Sequence, residues 1–201
     1  MTGAILAGGE NTRIPKLKGF LEVGGTSIIA HTIGILKKFF ERVVVSTNTP
    51  ESYFSLGLPL IGDVRSERGP MIGILSVLVA TGDDSVFVVA CDMPFVDERL
   101  IGYMVEKYRA ETAGGQIYDA VVPVFQNLIE PLLGIYTRNC IPPLESMIQN
   151  GQKSIIGMLK TLRVRFVTDD EIKAVDAAGR SFVNINTRED YENIGGKVCL
   201  G

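Results

Sequence analysis

Tryptophan is absent and histidine occurs once, at His31, in a chain of 201 residues. A single histidine in mid-helix argues against a histidine-rich metal site and against a Ser-His-Asp triad. It reads as a helix-surface or packing residue. The cysteines Cys91, Cys140 and Cys199 are odd in number and far apart, with no CxxC, so neither a disulfide framework nor a zinc knuckle fits. No apolar run approaches the roughly 18–20 residues that span a bilayer. The first residues, Met1 to Ala7, lack a basic region and run straight into Gly8-Gly9, unlike a signal peptide. Excess charge of one sign is missing too, since 20 Lys and Arg face 23 Asp and Glu for a net charge of −3. Nucleic-acid binding normally leaves a basic footprint, and none is visible. The expectation is a cytoplasmic protein with no nucleic-acid or membrane partner.

Two standard nucleotide motifs are also missing. No Gly-x-x-x-x-Gly-Lys-Ser/Thr occurs, which excludes a P-loop kinase or ATPase. The first turn does not read Gly-x-Gly-x-x-Gly, which disfavours a dinucleotide-dependent oxidoreductase.

Glycine, by contrast, is abundant: 22 residues, roughly 11 % against an average near 7 %, without a collagen-like period. Hydrophobic residues make up 46 % and charged residues 21 %, an ordinary globular balance. The length fits one domain large enough to bury its own core. Short apolar runs at 3–7, 42–47, 58–61 and 85–90 read as buried strands. Helical patterns start at Ser27, at Gly69-Pro70 and at Asp97. Further on, 120–124 and 131–136 read as antiparallel strands, 139–149 and 154–159 as helices, and 163–167 as a strand. A last short strand is expected over 182–185, with a terminal helix starting at Asn186 or Thr187.

Continuous apolar strands alternating with helices predict an α/β fold: a mostly parallel sheet covered on both faces. Ligands in such sheets bind outside the carboxyl ends of the strands. Four polar strand ends fall on that rim: Gly8-Gly9 after the first strand, Asn48 after the second, Asp63 after Ile61, and Asp92 after Ala90. Beyond the first strand, backbone N–H groups near Gly8 and Gly9 can face an anion, and Arg13 and Lys18 add positive charge. A plain turn with solvated basic residues fits the same composition. Asp92, followed by Met93-Pro94-Phe95, suits Mg²⁺, which takes one or two carboxylates plus phosphate oxygens and water. A helix-capping aspartate would read the same way. Cys91 reads as a small core residue rather than a nucleophile. With no histidine-based site, chemistry would run on Lys, Arg, Asp and a metal ion, which points to phosphoryl or nucleotidyl transfer.

These motifs resemble the molybdenum cofactor guanylyltransferases: Leu6-Ala7-Gly8-Gly9 with Arg13 and Lys18, Gly69-Pro70-x-x-Gly73, Cys91-Asp92-Met93-Pro94-Phe95 and Asn184-Ile185-Asn186-Thr187. The resemblance runs nearly end to end. It implies a Rossmann-like three-layer α/β/α fold, glycosyltransferase-A-like, with a mostly parallel mixed sheet. The single domain would hold its nucleotide in about residues 1–112 and its acceptor in about 119–201. The implied reaction is Mg²⁺-dependent (Mn²⁺ as a substitute) transfer of GMP from GTP to the terminal phosphate of molybdopterin, releasing pyrophosphate. By matched position, Leu6, Ala7, Gly8 and Gly9 would line the nucleotide and Lys18 would contact phosphates. Arg13 would stabilise the leaving pyrophosphate, and Asn48 and Asp63 would contact the nucleoside. Asp92 would hold the metal, and Asn184 and Asn186 would build the pterin side. Transient contact with other cofactor-biosynthesis proteins or molybdoenzymes is implied as well. The family's usual Arg-Met-Gly is Arg13-Ile14-Pro15 here. The runners-up are cytidylyl transfer to molybdopterin, nucleotidyl transfer to a sugar or alcohol phosphate, and a non-catalytic nucleotide-binding partner in cofactor delivery.

Overall fold

The structure, a computed structural model, describes residues 1–8 and 17–195. Its frame is an eight-stranded mixed sheet. Strands β1 (Thr2–Leu6), β4 (Val43–Ser46), β5 (Leu60–Ile61) and β6 (Ser85–Ala90) come from the first half of the chain. They run parallel, in the order β6-β1-β4-β5. From the second half, β7 (Ala120–Phe125) and β10 (Val164–Val167) pair parallel with each other. Strand β9 (Leu133–Thr137) lies between β7 and β6 and is antiparallel to both, and β8 (Leu128–Ile129) folds back on β7. A separate hairpin, β2 (Glu22–Val23) and β3 (Thr26–Ser27), precedes the first helix.

Alternation along the strands builds two cores. Ile5, Val43, Val45, Phe87 and Val89 face one side, while Ala4, Leu6, Val44, Val86 and Val88 face the other. Helices α1 (Ile28–Phe39), α3 (Glu98–Ala113) and α6 (Asp169–Val175) cover the first face. Helices α2 (Pro70–Thr81), α4 (Ile141–Gln149) and α5 (Ile155–Leu159) cover the second. Each fully buried aliphatic side chain contributes about 1.5–3 kcal/mol, so sequestering both faces is what holds the layers together. A shorter α7 (Arg188–Asn193) closes the described chain, with Tyr191 packed beside Leu21, Ile28 and Ile185.

The expected helix starts are present. The Ser27 side chain accepts from Ala30 N at 3.4 Å, and Asp97 accepts from Arg99 N at 2.8 Å. Helix α3 runs four residues beyond the expected end near Arg109, to Ala113. One expectation fails, and one helix goes unread. Residues 182–185 are not a strand; a 3-10 turn over Arg180–Phe182 leads into an extended segment whose bond to the strand-end region is Ile185 N to Asp92 O, 2.9 Å. Helix α6 is absent from the sequence reading, although Thr168 and Glu171 form a capping box at its start.

Because β9 is antiparallel, its amino end meets the carboxyl ends of β1, β4 and β6 on one edge of the sheet. The turn Glu130–Leu132 therefore joins that rim, tied by Ala90 N to Leu132 O at 2.9 Å.

Candidate active site

A cleft of ≈ 680 Å³ opens along this rim, within the ordinary range for a small-molecule site. The sheet ladder continues just past the strands into its floor. Ala7 N donates to Ser46 O at 2.9 Å, Thr47 N to Ile61 O at 2.8 Å and Cys91 N to Leu6 O at 3.1 Å. Leu6 and Ala7 are buried while Gly8 is exposed beside them. Among the described residues, apart from its chain neighbours, a Cβ built at Gly8 would meet no atom within 4 Å, and Gly8 lines the cleft. Gly9 and Arg13 lie outside the described residues.

Lys18 and Asp92 face each other in this cleft. The Lys18 Nζ lies 3.2 Å from Asp92 Oδ2, with both side chains about one-fifth exposed (20 % and 23 %). The same ammonium donates to Asn186 Oδ1 at 3.1 Å. Asn184 Nδ2 donates to Glu130 Oε2 at 3.2 Å, and Glu130 Oε1 accepts from Leu132 N at 3.1 Å. The segment 184–187 is thus pinned at three levels: Ile185 to the Asp92 backbone, its two asparagines to Glu130 and Lys18, and its end to helix α7. There Asp190 Oδ2 accepts from Asn186 N at 2.8 Å and Thr187 N at 2.7 Å. These backbone donors hold the Asp190 carboxyl below the usual range.

Asn48 and Asp63 meet at the opposite end of the cleft. Asp63 N donates to Asn48 Oδ1 at 3.0 Å, and Asn48 Nδ2 donates to Asp63 Oδ2. The pair is therefore preformed by mutual bonding. Between the two ends, α2 begins at Pro70 after Gly69, whose φ of 134° is a conformation that L side chains rarely adopt. One turn on, a Cβ at Gly73 would touch Leu6 and Ser46 side chains at 3.4 and 3.5 Å, so this helix lies close against β1 and β4.

The thiol of Cys91 is pushed up to about 12, chiefly by desolvation and then by the Asp92 charge. It stays protonated at neutral pH, which agrees with a packing role and excludes a ready thiolate. His31 lies on the exposed face of α1, its Nε2 3.4 Å from Val96 O. It is remote from the cleft lining, as its sequence position implies.

The strand-end pattern missed Glu130 and Tyr53. Tyr53 is buried beneath the cleft, its hydroxyl donating to Ala7 O at 3.4 Å. Burial raises the Glu130 carboxyl above the usual range, against the pull of the Leu132 and Asn184 donors, and the Asp92 charge adds to the rise. Its sequence signal was a lone acid inside the apolar run Leu128-Ile129-Glu130-Pro131-Leu132-Leu133.

Among the described residues, no three His, Cys, Asp or Glu side chains converge as a metal cage. Asp92, a carboxylate at the cleft rim, is of the kind a divalent ion uses when its remaining ligands come from a bound phosphate chain and water.

The family model described as MobA-like NTP transferase domain matches residues 3–165. A protein of Pelotomaculum thermopropionicum, named probable molybdenum cofactor guanylyltransferase, is 33 % identical over 189 residues, covering 94 % of this chain and 89 % of the relative. The molybdenum cofactor guanylyltransferase of Desulfosudis oleivorans is 32 % identical over 204 residues, covering 100 % and 97 %. Among solved structures, molybdopterin-guanine dinucleotide biosynthesis protein A from Archaeoglobus fulgidus superposes with a TM-score of 0.78 at 28 % identity, covering 96 % of each chain.

Proposed function

Since the chain belongs to the MobA-like NTP transferase family, we propose that it transfers GMP from GTP to the terminal phosphate of molybdopterin, yielding the guanine dinucleotide cofactor and pyrophosphate. The observation that carries this reading is the Lys18–Asp92 pair on the cleft rim, joined to the Asn184–Asn186 segment by one ammonium. In this reading the pair is a charged phosphate site between a nucleoside end and an acceptor end.

In this reading the nucleophile belongs to the acceptor. A phosphate oxygen of molybdopterin attacks the α-phosphorus of GTP, a new phosphoanhydride bond forms, and the bond to the β-phosphate oxygen breaks as pyrophosphate leaves. No protein nucleophile is needed, which fits the protonated Cys91. Backbone groups of Leu6, Ala7, Gly8 and Gly9 line the nucleotide. Asn48 and Asp63 take the nucleoside, in a nucleotide-binding part of about 1–112. Lys18 holds phosphate oxygens, and Arg13 stabilises charge on the departing pyrophosphate. Asp92 holds Mg²⁺, with Mn²⁺ as a substitute. The ion, when bound, supplies Lewis-acid charge neutralisation at the phosphates. Asn184 and Asn186 contact the acceptor, in a part of about 119–201.

Among the described residues no helix is long and apolar enough to cross a membrane. A cytoplasmic setting, where GTP is made, suits this chemistry, as do transient contacts with the proteins that deliver molybdopterin and receive the product. The test is pyrophosphate release with each nucleoside triphosphate and molybdopterin. Release with GTP is expected; release with CTP but not GTP would overturn the guanylyl assignment.

A further inference from the structure

Asn184 and Asn186 stand two positions apart, and each is bonded to a group that has hydrogen bonds of only one sense. Glu130 is a carboxylate, which accepts and cannot donate, and both of its oxygens are taken. Oε1 accepts from the fixed backbone Leu132 N at 3.1 Å, and Oε2 accepts from Asn184 at 3.2 Å. Asn184 must therefore offer Glu130 its NH₂ group, which turns its carbonyl oxygen away from Glu130. Lys18 is an ammonium, which donates and cannot accept. Asn186 must offer it the carbonyl oxygen, at 3.1 Å, leaving its own NH₂ group for other partners. The two amides are thereby set to opposite polarity, whichever way an isolated amide would turn.

We propose that Glu130 is a positioning residue that fixes the polarity of the Asn184 amide, so that the acceptor side of the cleft offers a hydrogen-bond acceptor at Asn184 and a donor at Asn186. Such a site selects a ligand with an N–H-bearing heterocyclic edge next to an anionic group. A molecule of the same size whose heterocyclic edge carries only acceptors would meet lone pairs at Asn184 and be rejected. This deepens the proposed function and rests on its choice of a pterin phosphate as acceptor. Topology explains why a residue so far from the first-half strand ends takes part: antiparallel β9 brings the Glu130–Leu132 turn to the rim.

Glu130→Gln tests the proposal with almost no change of shape. Its one remaining oxygen stays on the Leu132 N–H, so the new NH₂ group faces Asn184 and the Asn184 amide turns over to accept it. The ligand then meets a donor where it needs an acceptor. Steady-state kinetics should show the KM for molybdopterin rising roughly 10–100-fold, while the KM for GTP moves by less than about threefold. Adding Asn184→Asp to Glu130→Gln restores an outward acceptor, because one aspartate oxygen takes the Gln NH₂ and the other faces the ligand. This double variant should recover the molybdopterin KM to within about threefold of the unmodified protein. Asn184→Asp alone sets two carboxylates against each other and should raise it. A merely structural role for Glu130 predicts no recovery in the double variant. An unchanged molybdopterin KM in Glu130→Gln, or a double variant no better than the single, overturns the proposal. If the unmodified protein does not turn over GTP and molybdopterin at all, the functional reading fails separately. Side-chain amide NMR then decides the polarity on its own: in Glu130→Gln the NOEs from the Asn184 NH₂ protons to the residue 130 side chain must be lost, and unchanged NOEs overturn it.

Discussion

Lys18 and Asn186 are 168 positions apart in the chain, yet the Lys18 ammonium donates to Asn186 Oδ1 at 3.1 Å. The same ammonium lies 3.2 Å from Asp92, so one cation links the ends of the first and last parts of the fold. Lys18→Ala is therefore expected to do more than weaken nucleotide binding. It should lower kcat about 10²–10³-fold, as loss of a preorganised charge at the reacting phosphates does. Rapid-quench measurement of dinucleotide formation checks this; a change in the KM for GTP alone would argue against it.

Asp92 is expected to set the metal requirement. Removing divalent ions with EDTA should abolish turnover, and Mg²⁺ or Mn²⁺ should restore it. In Asp92→Asn the Mg²⁺ activation curve should move to higher concentration, with kcat down about 10²–10³-fold. Unaltered Mg²⁺ dependence in this variant would remove Asp92 from the metal site.

Asn48 and Asp63 already bond to each other, so under the proposed function a nucleoside would meet a preset pair rather than two loose side chains. Asp63→Ala should raise the KM for GTP roughly 10–100-fold by deleting one charged hydrogen-bond partner. The KM for molybdopterin should stay where it was. Equal effects on both substrates would mean that the substitution distorts the whole rim instead of deleting a single hydrogen bond.

Glu171 ties three elements together away from the cleft. It accepts from Arg165 Nη1 at 2.9 Å, Tyr103 OH at 2.6 Å and Thr168 N at 2.9 Å. The Arg165 bonds, ahead of its other partners, hold this carboxyl well below its ordinary value of 4.5. A folded value below the unfolded one means that the stabilisation is complete above the unfolded value and is lost as pH falls through the folded one. Glu171→Gln should cost about 1–3 kcal/mol at neutral pH and flatten the acid limb of the stability curve. Urea unfolding from neutral pH down to about pH 3.5 compares the two slopes; parallel slopes would contradict this.

The first half of the fold was legible because its strands are buried on both faces and so read as unbroken apolar runs. The rule that ligands sit beyond carboxyl ends then located Gly8, Asn48, Asp63 and Asp92 on one rim. The same rule hid Glu130, since β9 runs the other way and presents its amino end there. Residues 182–185 read as a strand because Phe182, Val183 and Ile185 favour extended backbone, but Val183 and Ile185, which would share one strand face, are exposed and buried, as suits a segment pinned at Ile185 rather than paired. Helix α6 escaped because seven residues opening with three acids give too short an apolar period, and the Thr168–Glu171 capping box was its readable signal.

Every role assigned along this rim requires a guanine nucleotide there, with its phosphates at Lys18 and Asp92. Crystals of the protein soaked with GTP and Mg²⁺ are the sharpest test. Guanosine density is expected at Asn48 and Asp63, phosphates beside Gly8 and Lys18, and a metal ion on Asp92. A nucleotide bound elsewhere, or an empty rim under saturating GTP, would contradict these assignments.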